Sequence, residues 1–182
     1  MEQLSFRTPT SVKIIMLMGV AGSGKSTLGD SLAHQFAWPY RDADSFHPKA
    51  NIEKMSRGEA LNDDDRWPWL DAIAAWIDER RAQNHRGIVS CSALKRVYRD
   101  RLLVGRSDVR LVYLAGSQGV IAKRMSQREG HFMPTALLDS QFAMLEESSE
   151  HENVIVVPID PTPRRIAESI LAAFAQMDDI QA

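Results

Sequence analysis

An open α/β sheet of parallel strands with helices on both faces is the fold class this sequence predicts, and three observations predict it. Short apolar runs rich in β-branched residues alternate with longer helix-like segments along the chain. The first run passes straight into a glycine cluster that opens a helix, in "IIMLMGVAGSGKSTL" (14–28). A length of 182 residues with 44% hydrophobic side chains suits one core of ordinary size, so a single domain over 1–182 is expected.

Taken in order, residues 12–18 read as a buried strand and 25–36 as the helix that follows. A shorter run at 38–41 reads as a second strand, and Pro39 predicts that it lies at an edge, because proline cannot donate to a ladder. The polar stretch "HPKANIEKMSRGEALNDDDRWPWL" (47–70) reads as an insertion, with Asp65 as the expected N-cap of a helix over 66–83. Strands at 88–91, 109–114 and 154–157 then alternate with helices expected over 95–103, 118–127, 134–146 and 163–176. Right-handed crossovers between such strands place ligands at their carboxyl ends.

The glycine cluster carries the first chemistry. Gly19, Gly24, Lys25 and Ser26 fit the phosphate-loop pattern GxxxxGKS/T, in the strand-to-helix context it requires. Across Gly19, Val20, Ala21, Gly22, Ser23 and Gly24, bare backbone lets successive N–H groups face a phosphate, and the helix dipole adds positive potential. Lys25 is expected to reach the β- and γ-phosphates of ATP and Ser26 to offer its hydroxyl to Mg²⁺, with Thr27 helping to hold the loop.

Other residues narrow the reaction. No Asn-Lys-x-Asp guanine-reading sequence occurs, and the apolar strand that would end in a metal-binding acid in a large ATPase ends here in Ser90, Cys91 and Ser92. The acid is supplied instead by "DADSFHP" (42–48), where Asp42 and Asp44, two apart, would share one side of an extended segment. One carboxylate can hold the Mg²⁺ shell while the other faces an acceptor hydroxyl. Asp42 is assigned to the metal and Asp44 to the acceptor, with the exchanged roles as the alternative. Cys91 is read as a small buried side chain, and a lone cysteine excludes a disulfide within the chain.

Charge and hydropathy exclude some partners. Lys plus Arg is 22 against 24 for Asp plus Glu, a net charge of -2, without the basic excess that nucleic-acid binding favours. No apolar run approaches the roughly twenty residues of a membrane span. The stretch "MEQLSFRTPTS" (1–11) lacks the apolar centre of a secretion signal, and the expected compartment is the cytoplasm.

Four blocks, "LMGVAGSGKSTL", "DADSFHPKANIEKMSRGEALNDDDRWPWL", "CSALKRVYRDRL" and "REGHFMPTALLDSQFAMLE", together resemble bacterial-type gluconokinase over about residues 12–170. Ala60 departs from the family pattern, which usually has proline before the leucine. The resemblance implies a P-loop kinase fold similar to shikimate and nucleoside monophosphate kinases. That fold is a five-stranded parallel sheet flanked by helices, with a substrate-binding insertion at about 45–70 and a mobile lid at about 124–142. It implies transfer of the ATP γ-phosphoryl to the 6-hydroxyl of D-gluconate. Members of the family often form dimers. A polyol bearing one carboxylate needs hydroxyl acceptors and at least one cation, for which Arg66, Lys95 and Arg99 are the candidates, joined by His47. Lys95 and Arg99, four apart, are expected to share a helix face. Arg124 and Arg128, one turn apart ahead of Gly130, resemble lid arginines that neutralise charge during transfer. Residues 160–162, after the last strand, are candidates for the adenine side. The competing readings are a kinase of this fold acting on another small hydroxy acid such as shikimate, and a nucleotide-binding module without turnover.

Overall fold

The computed structural model describes residues 11–126, 135–149, 152 and 154–180. Strand β1 (Ile14–Met18) leads into helix α1 (Lys25–Phe36) and edge strand β2 (Tyr40–Asp42). A 3₁₀ turn (Ala43–Phe46) connects β2 to α2 (Lys49–Ser56) and the long α3 (Asp63–Ala82). Then follow β3 (Gly87–Ser90), α4 (Arg96–Leu103), β4 (Val109–Ala115), α5 (Gln118–Ser126), α6 (Thr135–Met144), β5 (Val154–Pro158) and α7 (Pro163–Ile180). All ladders are parallel, in the order β2-β3-β1-β4-β5.

The central β1 is buried at every position, which is why it reads as an unbroken apolar run rather than an alternating one. Its alternate side chains feed two separate cores. Ile15 and Leu17 pack with Leu28, Leu32, Ile170 and Phe174 beneath α1 and α7. Ile14, Met16 and Met18 pack with Leu70, Ile73, Ile77 and Leu102 beneath α3 and α4 on the opposite face. Each fully buried aliphatic side chain there contributes roughly 1.5–3 kcal/mol. Truncating Ile73, which is wholly inaccessible, should cost about 2–5 kcal/mol.

This topology puts a crevice at the carboxyl ends of β1, β3 and β2, because β2 and β3 lie on one side of β1 and the chain then crosses to β4 and β5 on the other. The register aligns Asp42 with Ser90, and Ser90 with Leu17, at that edge. Pro39, just before β2, accepts from the Ile88 N–H, and β2 lies at the sheet edge as its proline predicts.

Two expectations for the polar insertion need correction. Helix α3 starts at Asp63, not near Arg66, and its N-cap is Asn62 rather than Asp65. The Asn62 side chain accepts from the Asp65 N–H at 2.9 Å, and the Asp65 carboxylate accepts from the Asn62 N–H at 2.8 Å. In this reciprocal box the aspartate serves better at the third helical position, and Asp63 to Asp65 all favour the positive end of the helix dipole. The insertion also contains α2, which was not expected. Its apolar residues Ile52 and Met55 are exposed, so no buried stripe announces the helix in the sequence.

Candidate active site

The chain leaves β1 at Met18 and turns through Gly19, Gly22 and Gly24, all with positive φ. Gly24 is the N-cap of α1 at φ 98°, a left-handed conformation that a side chain would strain, so the abrupt entry into the helix depends on glycine. Lys25 then curls back over the loop. Its Nζ donates to Gly19 O at 2.9 Å and Val20 O at 3.0 Å. An ammonium has three donors, so two fix its position and one is left for a phosphate. Burial lowers the Lys25 pKa, and the carboxylates of Asp42 and Asp44 oppose that shift.

Facing the loop, the Ser26 hydroxyl donates to Asp42 Oδ2 at 3.0 Å. Asp42 also accepts from the Tyr40 hydroxyl at 3.0 Å and, through Oδ1, from the Asp44 N–H at 3.1 Å. Burial pushes the Asp42 pKa up, but the Asp44 N–H and the hydroxyls of Tyr40, Ser26 and Ser90 outweigh it and hold the carboxyl below its usual range. Tyr40 and Ser90 hydroxyls lie 2.8 Å apart, and burial pushes the Tyr40 phenol up to about 12, so it remains a donor. Tyr40 can sit there because residue 29 of α1 is glycine: a Cβ at Gly29 would fall 2.4 Å from Tyr40 Cε2. Ser26 and Asp42 thus form a pair of oxygen donors, one ionised. This fits a magnesium ion, which takes one or two protein oxygens and completes its shell with water and phosphate.

Asp42 and Asp44 are not related by strand alternation. The strand stops at Asp42, which caps the 3₁₀ turn, and Asp44 lies in that turn. The tight turn still leaves the two close together, with the Asp44 side chain 91% exposed at the crevice. His47 Nε2 stands 4.0 Å from Asp44 Oδ1. The imidazole stacks on Trp69 with centroids 4.6 Å apart, and the Trp69 Nε1–H is anchored on Ala43 O at 2.7 Å. Burial lowers the His47 pKa, with Asp44 opposing and Arg66 adding to the shift, so the ring is neutral at pH 7.

Lys95 and Arg66 come together around Asp63. Lys95 Nζ donates to both Asp63 oxygens at 2.9 and 2.8 Å, Arg66 Nη1 lies 3.5 Å from Oδ1, and the Tyr98 hydroxyl donates to Oδ1 at 2.5 Å. The hydrogen bond from Lys95 is the main reason the Asp63 pKa is lowered, and Asp63 in turn raises that of Lys95. Two cations sharing one carboxylate leave local positive charge for an acidic ligand.

Arg99 does not join them, which corrects the expected shared face. Lys95 is the N-cap of α4, before regular helical spacing begins, whereas Arg99 is completely buried. Its guanidinium grips Glu152 at 2.5 and 3.1 Å and donates to Leu94 O and Glu146 O. Arg99 therefore supports the loop that carries Lys95 rather than meeting a ligand. Cys91 is buried, and desolvation pushes its thiol up to about 12, as befits a packing residue.

On the other flank, Arg124 at the end of α5 donates to Ile159 O and to Pro161 O at 3.3 Å. A cavity of about 460 Å³ opens between the phosphate loop and the residues after β5, lined by Gly24, Thr27, Arg124, Met125, Pro161 and Thr162. The candidate adenine residues 160–162 thus stand beside the phosphate loop. Arg128 lies outside the described residues. Sequence reasoning missed Tyr40, Ser90, Tyr98 and Trp69, as well as Gln141, whose Oε1 accepts from the Ala21 N–H at 2.6 Å.

Comparison with known proteins gives the family. A family profile described as shikimate kinase matches residues 21–174. The gluconokinase of Gluconobacter oxydans (strain 621H) is 40% identical over 166 residues, covering 91% of this chain and 93% of that protein. The thermoresistant gluconokinase of Escherichia coli (strain K12) is 45% identical over 148 residues, covering 81% and 85%. The crystal structure of a gluconokinase from Sinorhizobium meliloti 1021 superposes with a TM-score of 0.83 at 41% identity, covering 96% and 97%. With its phosphate loop on a five-stranded parallel sheet, the chain belongs to the gluconokinases of the shikimate kinase family, ATP-dependent carbohydrate kinases.

Proposed function

We infer that the protein phosphorylates D-gluconate on its 6-hydroxyl at the expense of ATP, giving 6-phospho-D-gluconate. The observation that carries this reading is the position of Asp44. Its Oδ1 stands 4.0 Å from His47 Nε2 on the acceptor side, and its N–H donates to Asp42, which accepts from Ser26 of the phosphate loop on the nucleotide side. An exposed carboxylate between a phosphate loop and a cationic cluster suits in-line transfer to a hydroxyl of an acidic substrate.

In this reading the free donor of Lys25 and the phosphate-loop amides from Gly19 to Thr27, other than that of Ala21, which Gln141 holds, bind the triphosphate. Asp44 accepts the proton of the 6-hydroxyl as the phosphoryl group arrives. Arg66 and Lys95 take the gluconate carboxylate, while His47, held flat against Trp69, offers a hydrogen bond to a hydroxyl. Mg²⁺, held by Ser26 and Asp42, supplies charge neutralisation at the β- and γ-phosphates when bound. Arg124, and Arg128 by family resemblance, belong to the lid expected over about 124–142 that excludes water; α6, at its far end, stays bonded to the phosphate loop through Gln141 and does not move with it. Residues 45–70 form the substrate-binding insertion of a single domain. The same reading puts the enzyme in the cytoplasm and, following the family habit, in a homodimer, which sedimentation velocity would test. No helix among the described residues is long and apolar enough to cross a membrane.

A coupled ADP-release assay with ATP and Mg²⁺, comparing gluconate with shikimate and other sugar acids, tests the acceptor. Gluconate should be preferred. Faster turnover of shikimate, or no acceptor-dependent ADP release, would overturn the assignment.

A further inference from the structure

Gln141 belongs to no phosphate-binding motif, yet it is bonded to the phosphate loop across 120 residues of sequence. The N–H it accepts, that of Ala21, belongs to the peptide unit whose carbonyl, Val20 O, accepts from Lys25 Nζ at 3.0 Å. One planar group is therefore held by Lys25 on its oxygen and by Gln141 on its nitrogen. Because Lys25 is the residue that reaches the β- and γ-phosphates, the Ala21 N–H marks the γ end of the loop. The unit lies between Gly19 and Gly22, both at positive φ, so the flanking backbone offers little resistance to its rotation. The two side-chain contacts supply that resistance.

The chain beyond α6 is fixed to the other half of the site. Glu146 N donates to Leu94 O at 2.9 Å, Arg96 N donates to Glu146 Oε2 at 2.5 Å, and Arg99 Nη1 donates to Glu146 O at 2.9 Å. These contacts bracket Lys95. Near its middle, α6 is also tied to α5, where Gln118 Nε2 donates to Asp139 Oδ1 at 2.5 Å. Helix α6 and the residues following it therefore run as a strut from the phosphate loop to the loop that carries the acceptor-side cation.

We propose that Gln141 is a positioning residue for phosphoryl transfer. It locks the Val20–Ala21 peptide so that the Lys25 ammonium stays aimed at the γ-phosphate, and through α6 it sets the spacing between that phosphate and the acceptor side. Misplacement of reacting groups by about an ångström can cost about a hundredfold in rate with little change in binding, so the contact should act on turnover rather than on affinity. The inference rests on ATP-dependent transfer and not on which acid accepts the phosphoryl group.

Two variants of the full-length protein test it. Gln141→Met keeps length and packing but removes the acceptor; kcat should fall about tenfold or more, with KM for ATP and for the acceptor within about twofold. Gln141→Glu keeps an acceptor for the Ala21 N–H but adds a negative charge at the γ end. Titration calorimetry should then show ATP weakened at least about tenfold more than ADP. That second measurement needs no acceptor, so it stands even if gluconate proves to be the wrong substrate. Wild-type kcat in Gln141→Met, or equal weakening of ATP and ADP in Gln141→Glu, would overturn the proposal.

Discussion

Replacing Glu152 with Gln removes one charge from the buried pair with Arg99 and leaves its shape. The Arg99 side chain is wholly inaccessible and that of Glu152 is 5% exposed. The bidentate guanidinium holds the Glu152 carboxyl at about 2 instead of its ordinary 4.5, overcoming the burial that would raise it. At about 1.4 kcal/mol per tenfold in the protonation equilibrium, the ionised form is favoured in the fold by about 3 kcal/mol. Removing one partner of a buried ion pair independently suggests roughly 3–5 kcal/mol. Because the folded value lies below the unfolded one, this stability is present above pH 4.5 and is lost as pH falls toward 2. Glu152→Gln should therefore unfold about 6–12 °C below the wild type at pH 7, using about 2–4 °C per kcal/mol for a domain of this size. The gap should close as pH falls from 4.5 to 2. Urea titrations and thermal melts across that range measure both. A difference below about 1 kcal/mol at pH 7, or a gap that does not narrow in acid, would refute the view that this pair holds the loop of Lys95 in place.

Lys25→Ala should remain folded and lose about a hundredfold or more in turnover, since a cation at developing phosphoryl charge is worth several kcal/mol; near-normal turnover in a folded variant would contradict the role of the loop. Asp44→Asn should keep binding a non-hydrolysable ATP analogue with Mg²⁺ while transfer to gluconate falls about a hundredfold. An equal loss of nucleotide binding would move Asp44 into the metal shell. Tyr40→Phe removes the hydroxyl that bridges Asp42 and Ser90, and KM for Mg·ATP should rise about tenfold, the scale of one hydrogen bond to a charged group. An unchanged KM over a magnesium titration would show that Asp42 does not need that support.

The parts legible in the sequence are those whose cause is local. β1 announces itself as an unbroken apolar run, and β3 and β4 as runs interrupted only by Ser90 and Arg110, because both of their faces are largely covered. The phosphate loop is legible because its chemistry fixes residue types at fixed spacing. Helix α2 was hidden because its apolar residues face solvent, and the start of α3 because asparagine and aspartate are both good caps, so that only the reciprocal bonds decide between them. Arg99 misled for another reason. Its spacing from Lys95 is that of one helix face, but its partner lies 53 residues away, beyond any local pattern. Gln141 is illegible in the same sense, since one hydrogen bond to a backbone amide leaves no signature at either end.

The close approach of Tyr40 to Gly29 limits how this protein can be hardened against heat. Exchanging a helical glycine for alanine is a routine stabilising substitution, worth about 1 kcal/mol where space allows. Here the added methyl would drive into the phenol ring and displace the hydroxyl that steadies Asp42. The softer turn in α1 is thus the condition for a correctly held carboxylate on a neighbouring strand. Selection for thermal tolerance alone would favour removing that glycine and would lose catalysis through a residue that no ligand touches, whereas selection for both would have to find its rigidity in other elements.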